Sequence, residues 1–324
     1  MTDRSLAGKT ILVTGGAGFI GSHLVDRLLV EGAAHVAVID NLFVGSEANL
    51  AAALATGKVT FYRDDAEFAD SLRYITEKHA IDIVFNCATK ALNYSFINPA
   101  NAFGTNVTVA LNLLELQRAG AFKTLCHFST SEVYGTAVYE PMDEKHPRNP
   151  TTTYAAGKAA ADLAVESYVH MFGVDAFIVR PFNNYGPRQN YRGLLAGIIP
   201  ITAWRILNGG QPELHGEGTQ TRDFIMVQDT VDAVIKLFKV LPAGESVNIS
   251  SDNQTSMSDL VHRIAARLNY GGEILRKPAR RADVLCHNAS NGKVKSLISY
   301  SLTPFDEGLA QTLDWYVNEI GDKR

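Results

Sequence analysis

The chain has 324 residues, 46% of them apolar and 20% charged, and 30 Lys+Arg against 34 Asp+Glu give a formal charge of −4. So much apolar side chain can bury a real core, which excludes disorder, and 26 Gly, 11 Pro and 3 Cys exclude collagen-like and disulfide-scaffold classes. With no basic excess, a broad nucleic-acid surface is not expected.

Residues 1–9 read MTDRSLAGK, with no long apolar stretch, and the chain has no uninterrupted apolar run of about 18 residues. Neither a signal peptide nor a membrane span is expected. Cys87, Cys126 and Cys286 are odd in number and contain no CxxC pair, so no disulfide framework or zinc knuckle is suggested. Cys87 and Cys126 lie in apolar runs and read as reduced core residues, which fits a cytoplasmic protein.

In chain order, Thr10–Val13 is a β-branched run and reads as a strand. Phe19–Val30 has helical spacing, with Ile20, Leu24 and Leu28 on one face. Val36–Ile39, Ile81–Phe85 and Thr124–Phe128 are further apolar strands, and Val59–Tyr62 is another apolar run. Asn101–Arg118 reads as a helix closing at Gly120, Thr151–Met171 as a long helix, and Ala176–Val179 as a strand. Alternating βα units with continuous apolar strands predict a doubly wound parallel sheet of the Rossmann type. After Arg180 the texture changes: Pro and Gly punctuate 181–218, which reads as a smaller, loop-rich lobe of mixed α/β character. Phe224–Phe238 reads as a strand plus helix and Val247–Ser250 as a strand; the remainder reads as short helices and loops. The expected division is a dinucleotide-binding domain over 1–182, with 224–250 returning to it, and a substrate lobe over 183–223 and 251–324.

The first strand runs into Gly15-Gly16-Ala17-Gly18-Phe19-Ile20-Gly21. In such a GxxGxxG turn the first glycine permits a tight bend and the second admits a pyrophosphate to the backbone. The third lets the helix pack closely, with its N-terminus facing the phosphates. Asp40 ends the second strand, where a carboxylate can accept hydrogen bonds from ribose hydroxyls and repel a 2′-phosphate; NAD is therefore expected rather than NADP. Asp64-Asp65 follows Val59–Tyr62 and either contacts adenine or forms a solvated turn.

Two later segments carry chemistry. Phe128-Ser129-Thr130-Ser131-Glu132-Val133-Tyr134-Gly135 begins at the carboxyl end of a strand, where ligands bind in open α/β sheets. Tyr154-Ala155-Ala156-Gly157-Lys158 places a tyrosine and a lysine on one helical face. The lysine cation, helped by a positive nicotinamide, is expected to lower the phenol pKa, and moving it from about 10 to near 7 needs about 4 kcal/mol. Such a phenolate takes a hydroxyl proton as hydride leaves the carbinol carbon, and Thr130 can hydrogen-bond the same oxygen. Taken alone, a Tyr–Lys pair at this spacing reads equally as an exposed helix face. No metal-ligand cluster is evident. His127 lies in an apolar strand and reads as a satisfied core histidine; His23 reads as packing or capping.

These stretches resemble the extended short-chain dehydrogenase/reductases, the nucleotide-sugar epimerase/dehydratase family. The likeness spans TGGAGFIG at 14–21, Asp40, STSEVYG at 129–135 and YAAGK at 154–158. It continues through RPFNNYGPRQ at 180–189, QTRDFIMVQD at 220–229 and RRADV at 280–284. The resemblance implies a tightly held NAD that oxidises C4 of a nucleotide-linked sugar. Catalysis would rest on Thr130, Ser131, Glu132, Tyr154 and Lys158. Cofactor contacts would come from Gly15, Gly18, Phe19, Ile20, Gly21, Asp40, Asn41, Asp65, Ala66, Ala88, Thr89, Asn106, Ser129, Tyr154, Lys158 and Pro181. Asn106 and Asn183–Asn184 would help place Lys158 and the substrate. Arg222 and Arg280 or Arg281 would bind the pyrophosphate or nucleotide, a task suited to bidentate guanidinium. Lys90 and Tyr94 are further substrate candidates, though each also reads as surface or packing. The resemblance also implies a homodimer joined by a four-helix bundle.

The residues at 131 and 132 bear on the second step. A 4-keto group acidifies the C5 proton, and Glu132 can take it. Plain C4 epimerases of the family carry small residues there. Glucose-type 4,6-dehydratases carry Thr-Asp-Glu, and this chain has Ser131 in place of that Asp. Thr-Ser-Glu also resembles GDP-mannose-type and acetamido-sugar 4,6-dehydratases, and UDP-glucuronate decarboxylases, where an added Arg such as Arg188 or Arg192 would face the sugar carboxylate. A 4,6-dehydratase-like reaction is the favoured expectation, with decarboxylase, 4-epimerase and a non-catalytic NAD-binding regulatory module behind it. The presence of both Tyr154 and Lys158 weighs against the last.

Overall fold

Side chains along successive strands alternate between two apolar clusters, as the two-residue period of a strand requires. The computed structural model describes residues 4–279 and 284–321. Its first part runs β1 (Thr10–Thr14), α1 (Phe19–Val30), β2 (His35–Ile39), α2 (Ala51–Ala55), β3 (Val59–Tyr62), α3 (Ala69–His79), β4 (Ile83–Asn86), α4 (Pro99–Arg118), β5 (Thr124–Phe128), α5 (Thr153–Phe172) and β6 (Asp175–Pro181). There follow β7 (Asn183–Tyr185), α6 (Ile198–Leu207), β8 (Glu213–His215), β9 (Thr221–Arg222), β10 (Phe224–Met226), α7 (Val227–Val240) and β11 (Ser246–Ile249). The last are β12 (Thr255–Ser256), α8 (Met257–Arg267), β13 (Leu275–Lys277), α9 (Gly292–Leu297) and α10 (Phe305–Gly321).

Seven strands form one parallel sheet in the order β11-β6-β5-β4-β1-β2-β3, the Rossmann-type arrangement expected from the sequence. Ile11, Val13, Val36, Val38, Phe85 and Phe177 face one side, under α1 and α7. Leu12, Ala37, Ile39, Val84, Leu125 and Ile178 face the other, under α3, α4 and α5. A third apolar cluster gathers Tyr185, Leu214, Phe224, Leu260, Ile264, Leu313 and Tyr316 from the elements after β6.

The sheet order reverses between β1 and β4. Chains leaving these two strands diverge to opposite sides, and the gap between them is where such sheets bind ligands. The turn after β1 carries the glycines, and the loop after β4 carries Ala88, Thr89 and Lys90. The N-terminal cap of α5 is Thr152, whose side chain accepts from the Ala155 N–H, so the helix starts two residues later than its apolar pattern predicts. It ends at Gly173, which takes the left-handed conformation.

Two helices depart from the sequence reading. α3 buries only Leu72, Ile75 and Thr76 against the sheet, and its otherwise polar composition hides that narrow stripe. α10 is 17 residues long and buries Leu309, Leu313, Tyr316 and Ile320, where short helices and loops are expected. No described helix is long and apolar enough to cross a membrane.

Candidate active site

The loop after β1 is built for close approach. Gly15 has φ +67, and a Cβ there would lie 2.8 Å from the Ala88 backbone. A Cβ on Gly21 would collide with the Gly15 carbonyl, so α1 can start against the loop only with glycine at that position. Asp40, 9% exposed, accepts from Ala17 N–H at 3.0 Å and from Leu42 N–H at 2.8 Å. Burial pushes its carboxyl above the usual range, and bonds from the Leu42, Ala17 and Gly18 N–H groups pull it back. A carboxylate has about four lone-pair sites, so it keeps acceptor capacity toward the cavity it lines.

That cavity, of about 350 Å³, is walled by every cofactor candidate from the sequence except Asn106. Asp65 lines it and accepts from Asn41 Nδ2 at 2.6 Å, whereas Asp64 does not line it and bonds Ser71. Lys90, 7% exposed, joins the same wall, its ammonium 4.2 Å from the Phe43 ring centre. Phe43, Val44, Gln189 and Asn190 also contribute, although sequence patterns did not single them out.

Thr130, Ser131 and Glu132 line a second cavity of about 230 Å³ with Asn183, Asn184 and the apolar Phe182, Ile198 and Phe224. Tyr154 lines both cavities. Its hydroxyl hydrogen-bonds Thr130 and Thr89. Thr89 in turn donates to Asn106 Oδ1 at 2.7 Å, while Asn106 Nδ2 donates to the Tyr154 carbonyl at 3.3 Å. Asn106 therefore holds the tyrosine's surroundings, where the resemblance pointed to Lys158.

Lys158 is 2% exposed, and its ammonium donates to the Phe128 carbonyl at 2.8 Å. Burial pushes it down to about 8, with the Asp162 carboxylate pulling upward. Asp162 is fully buried and accepts from Ser129 Oγ at 2.9 Å and Arg180 Nε at 3.0 Å. Tyr154 behaves against expectation: burial, with Glu132 adding to it, pushes the phenol up to about 12. The hydroxyls of Thr130 and Thr89 pull it down, and Lys158 is not among the groups that lower it.

The other substrate candidates are scattered. Tyr94 packs edge-on against Phe43 at 4.9 Å. Arg192 is exposed and stacks over Tyr191. Arg188 pairs with Asp26 of α1 at 2.7 Å. Arg222 donates to the Thr221 and Val284 carbonyls. None of these four lines either cavity, and Arg280 and Arg281 lie outside the described residues. Of the histidines, His127 is buried against Asn86, and His23 bonds the Pro187 carbonyl.

Residues 11–250 match the NAD dependent epimerase/dehydratase family. The chain belongs to this family. A UDP-glucose 4-epimerase from Mycolicibacterium smegmatis is 32% identical over 311 residues, covering 95% of this chain and 98% of the relative. UDP-glucuronic acid decarboxylase 1 from Xenopus tropicalis is 31% identical over 321 residues, covering 96% and 73%. The crystal structure of DesIV, a dTDP-glucose 4,6-dehydratase from Streptomyces venezuelae with NAD and TYD bound, matches at TM-score 0.91 and 30% identity, covering 96% of this chain and 98% of that one. NAD is the cofactor of the family, and the glycine cradle and Asp40 fit it. Family members act on nucleotide sugars by epimerisation, dehydration or decarboxylation.

Two outcomes follow from the geometry. Gly15→Ala forces a Cβ onto Ala88 at a positive φ, and strain of about 1–3 kcal/mol weakens NAD binding by about 10-fold or more. The NAD content of purified protein and a fluorescence titration measure this, and unchanged affinity contradicts the cradle. Lys158 keeps its charge below pH 8 and loses it as pH rises through about 8. Turnover that needs the cation therefore declines over that range, and a rate profile flat to pH 10 contradicts the role.

Proposed function

We propose that the protein is a nucleotide-sugar 4,6-dehydratase. The observation that carries this reading is Glu132 beside Tyr154 in the sugar-side cavity. Tyr154 lines both cavities and, of the residues that do, is the one with a titratable side chain, so it stands where a sugar carbinol would meet the cofactor. Bound NAD supplies the hydride acceptor and, when oxidised, a positive ring that favours the Tyr154 phenolate. Tyr154 takes the C4 hydroxyl proton, with Thr130 holding the same oxygen. In the resulting 4-keto sugar the C5 proton is acidic, and Glu132 is the base that removes it. Ser131, 2% exposed, is a far weaker acid than the Asp of glucose-type enzymes, so Glu132 also returns the proton to the departing C6 hydroxyl.

The lining of that cavity supports a reaction that uses a carboxylate base. Its described residues include one carboxylate, Glu132, and no Lys or Arg. Plain 4-epimerisation is the second reading, supported by the Mycolicibacterium relative, and it leaves Glu132 without a task. We also assign the NAD-binding part to 1–182 with 224–250, and the nucleotide sugar to the lobe of 183–223 and 251–324.

The mated helices α4 and α5 leave Phe103, Leu111 and Leu163 between 37% and 51% exposed, and we infer that a second copy covers them in a four-helix interface. Multi-angle light scattering is expected to give twice the chain mass of 35.2 kDa; a monomer at micromolar concentration refutes the interface.

Incubation with UDP-glucose, dTDP-glucose, GDP-mannose, UDP-N-acetylglucosamine and UDP-glucuronate, read by mass spectrometry, tests the reaction. The expected product has lost one water and carries a 4-keto-6-deoxy sugar, and Tyr154→Phe abolishes it while retaining NAD. Loss of CO₂ from UDP-glucuronate, or a C4 epimer without water loss, overturns the assignment.

A further inference from the structure

His287 belongs to none of the motifs discussed above, yet it reaches the reacting carboxylate. The segment that carries it runs beside β9: Cys286 bridges Thr221, and the His287 N–H donates to the Thr221 carbonyl at 3.3 Å. The side chain is fully buried, edge-on to Phe182 at 5.9 Å. Its Nε2 lies 3.1 Å from the Gly135 carbonyl, a contact that requires a hydrogen on Nε2. Burial, with the Arg222 cation adding to it, pushes the imidazole down to about 3, so the ring is neutral. In a neutral ring with Nε2–H, Nδ1 is a bare lone pair.

That Nδ1 has no hydrogen-bond partner among the described residues and lies 3.9 Å from Glu132 Oε1. With Glu132 ionised, an acceptor faces an acceptor and neither brings a hydrogen. With Glu132 protonated, its O–H can donate to Nδ1 after closing by about 1 Å. Among the described residues, Arg222 and His146 act on His287, and Tyr154 faces Glu132. None of them hydrogen-bonds Nδ1.

We propose that His287 is a positioning residue that holds the protonated form of Glu132 during the second half-step, by accepting a hydrogen bond from its carboxylic acid at Nδ1. The inference rests on the dehydratase reading for its chemical purpose. The Glu132 carboxylate takes the C5 proton, and the electron pair of that bond becomes the enolate of the 4-keto sugar. The carboxylic acid, held by Nδ1, then gives the same proton to the C6 oxygen. The enolate pair forms the C5=C6 double bond as the C6–O bond breaks and water leaves. One proton is moved twice and Glu132 ends as it began. His287 itself gains and loses none, which suits an imidazole too buried to charge. This accounts for dehydration with serine at position 131.

Two measurements test it. The first needs no turnover, so it stands whatever the sugar screen returns. Ring ¹⁵N signals of the NAD-bound protein are recorded, with the His287 pair assigned by loss in His287→Asn. In the wild type, Nε2 is expected to be the protonated nitrogen. In Glu132→Gln, whose amide N–H can donate, the Nδ1 signal is expected to move toward a hydrogen-bonded position. An Nδ1 signal unmoved by that substitution, or a proton found on Nδ1, overturns the proposal. The second is turnover on whichever of the five sugar nucleotides reacts. His287→Phe keeps ring bulk and removes the acceptor, so kcat is expected to fall by about 100-fold with KM little changed. His287→Asn restores an acceptor oxygen near the Nδ1 position and recovers part of that loss. Equal rates in the Phe and Asn variants refute the acceptor role.

Discussion

A lysine ammonium buried to 2% exposure must find partners, and that necessity fixes the active site. Lys158 finds the Phe128 carbonyl at the end of β5, which ties the first turns of α5 to the strand leading into Thr130, Ser131 and Glu132. The tyrosine four residues earlier then has one place to go, at the mouth between the two cavities. Gly157 makes the docking possible from the other side, because a Cβ there would meet the Phe103 carbonyl of α4 at 2.6 Å. With α4 this close, Asn106 can bridge the Tyr154 carbonyl and Thr89. One electrostatic demand and one missing methyl group thus place residues from four elements.

Behind the lysine stands a second buried layer. Asp162 balances the ammonium, and Arg180 balances Asp162 while bonding the Tyr134 hydroxyl at 3.1 Å. Tyr134 passes the chain on to Asn248 of β11 at 2.8 Å. Each member leans on the next, so the polar interior is rigid rather than forgiving. Such rigidity suits a site where Glu132 helps to keep the Tyr154 phenol neutral, and where a small drift would separate them.

Much of this was legible in the sequence because local geometry demanded particular residues. The glycines, Asp40 and the Tyr–Lys spacing each answer to one turn of chain, and the strands announced themselves by apolar runs buried on both faces. Asp65 and Lys90 were ambiguous as letters; only the fold shows both turned into the cofactor cavity, with Asp64 turned away. Arg188 and Arg192 looked suitable by charge, and their partners, Asp26 and Tyr191, lie away from the sugar-side cavity. His287 could not be found from the sequence. It sits in Cys286-His287-Asn288 without periodicity, and the contact with Glu132 spans 155 positions of chain (287 against 132). Its presence depends on how one loop runs past β9. Likewise, the phenol's rise reflects desolvation, which spacing does not encode.

The Phe128 contact has a further consequence. The acceptor that holds the lysine belongs to the main chain, not to a side chain. Any residue at position 128 that keeps β5 in the sheet presents the same oxygen, so the anchor of the reacting pair is immune to most single-letter changes at its own site. Vulnerability is displaced to positions such as 157 and 162, where side-chain size or charge is decisive. Mutational tolerance around this centre should therefore follow side-chain dependence rather than distance from the chemistry.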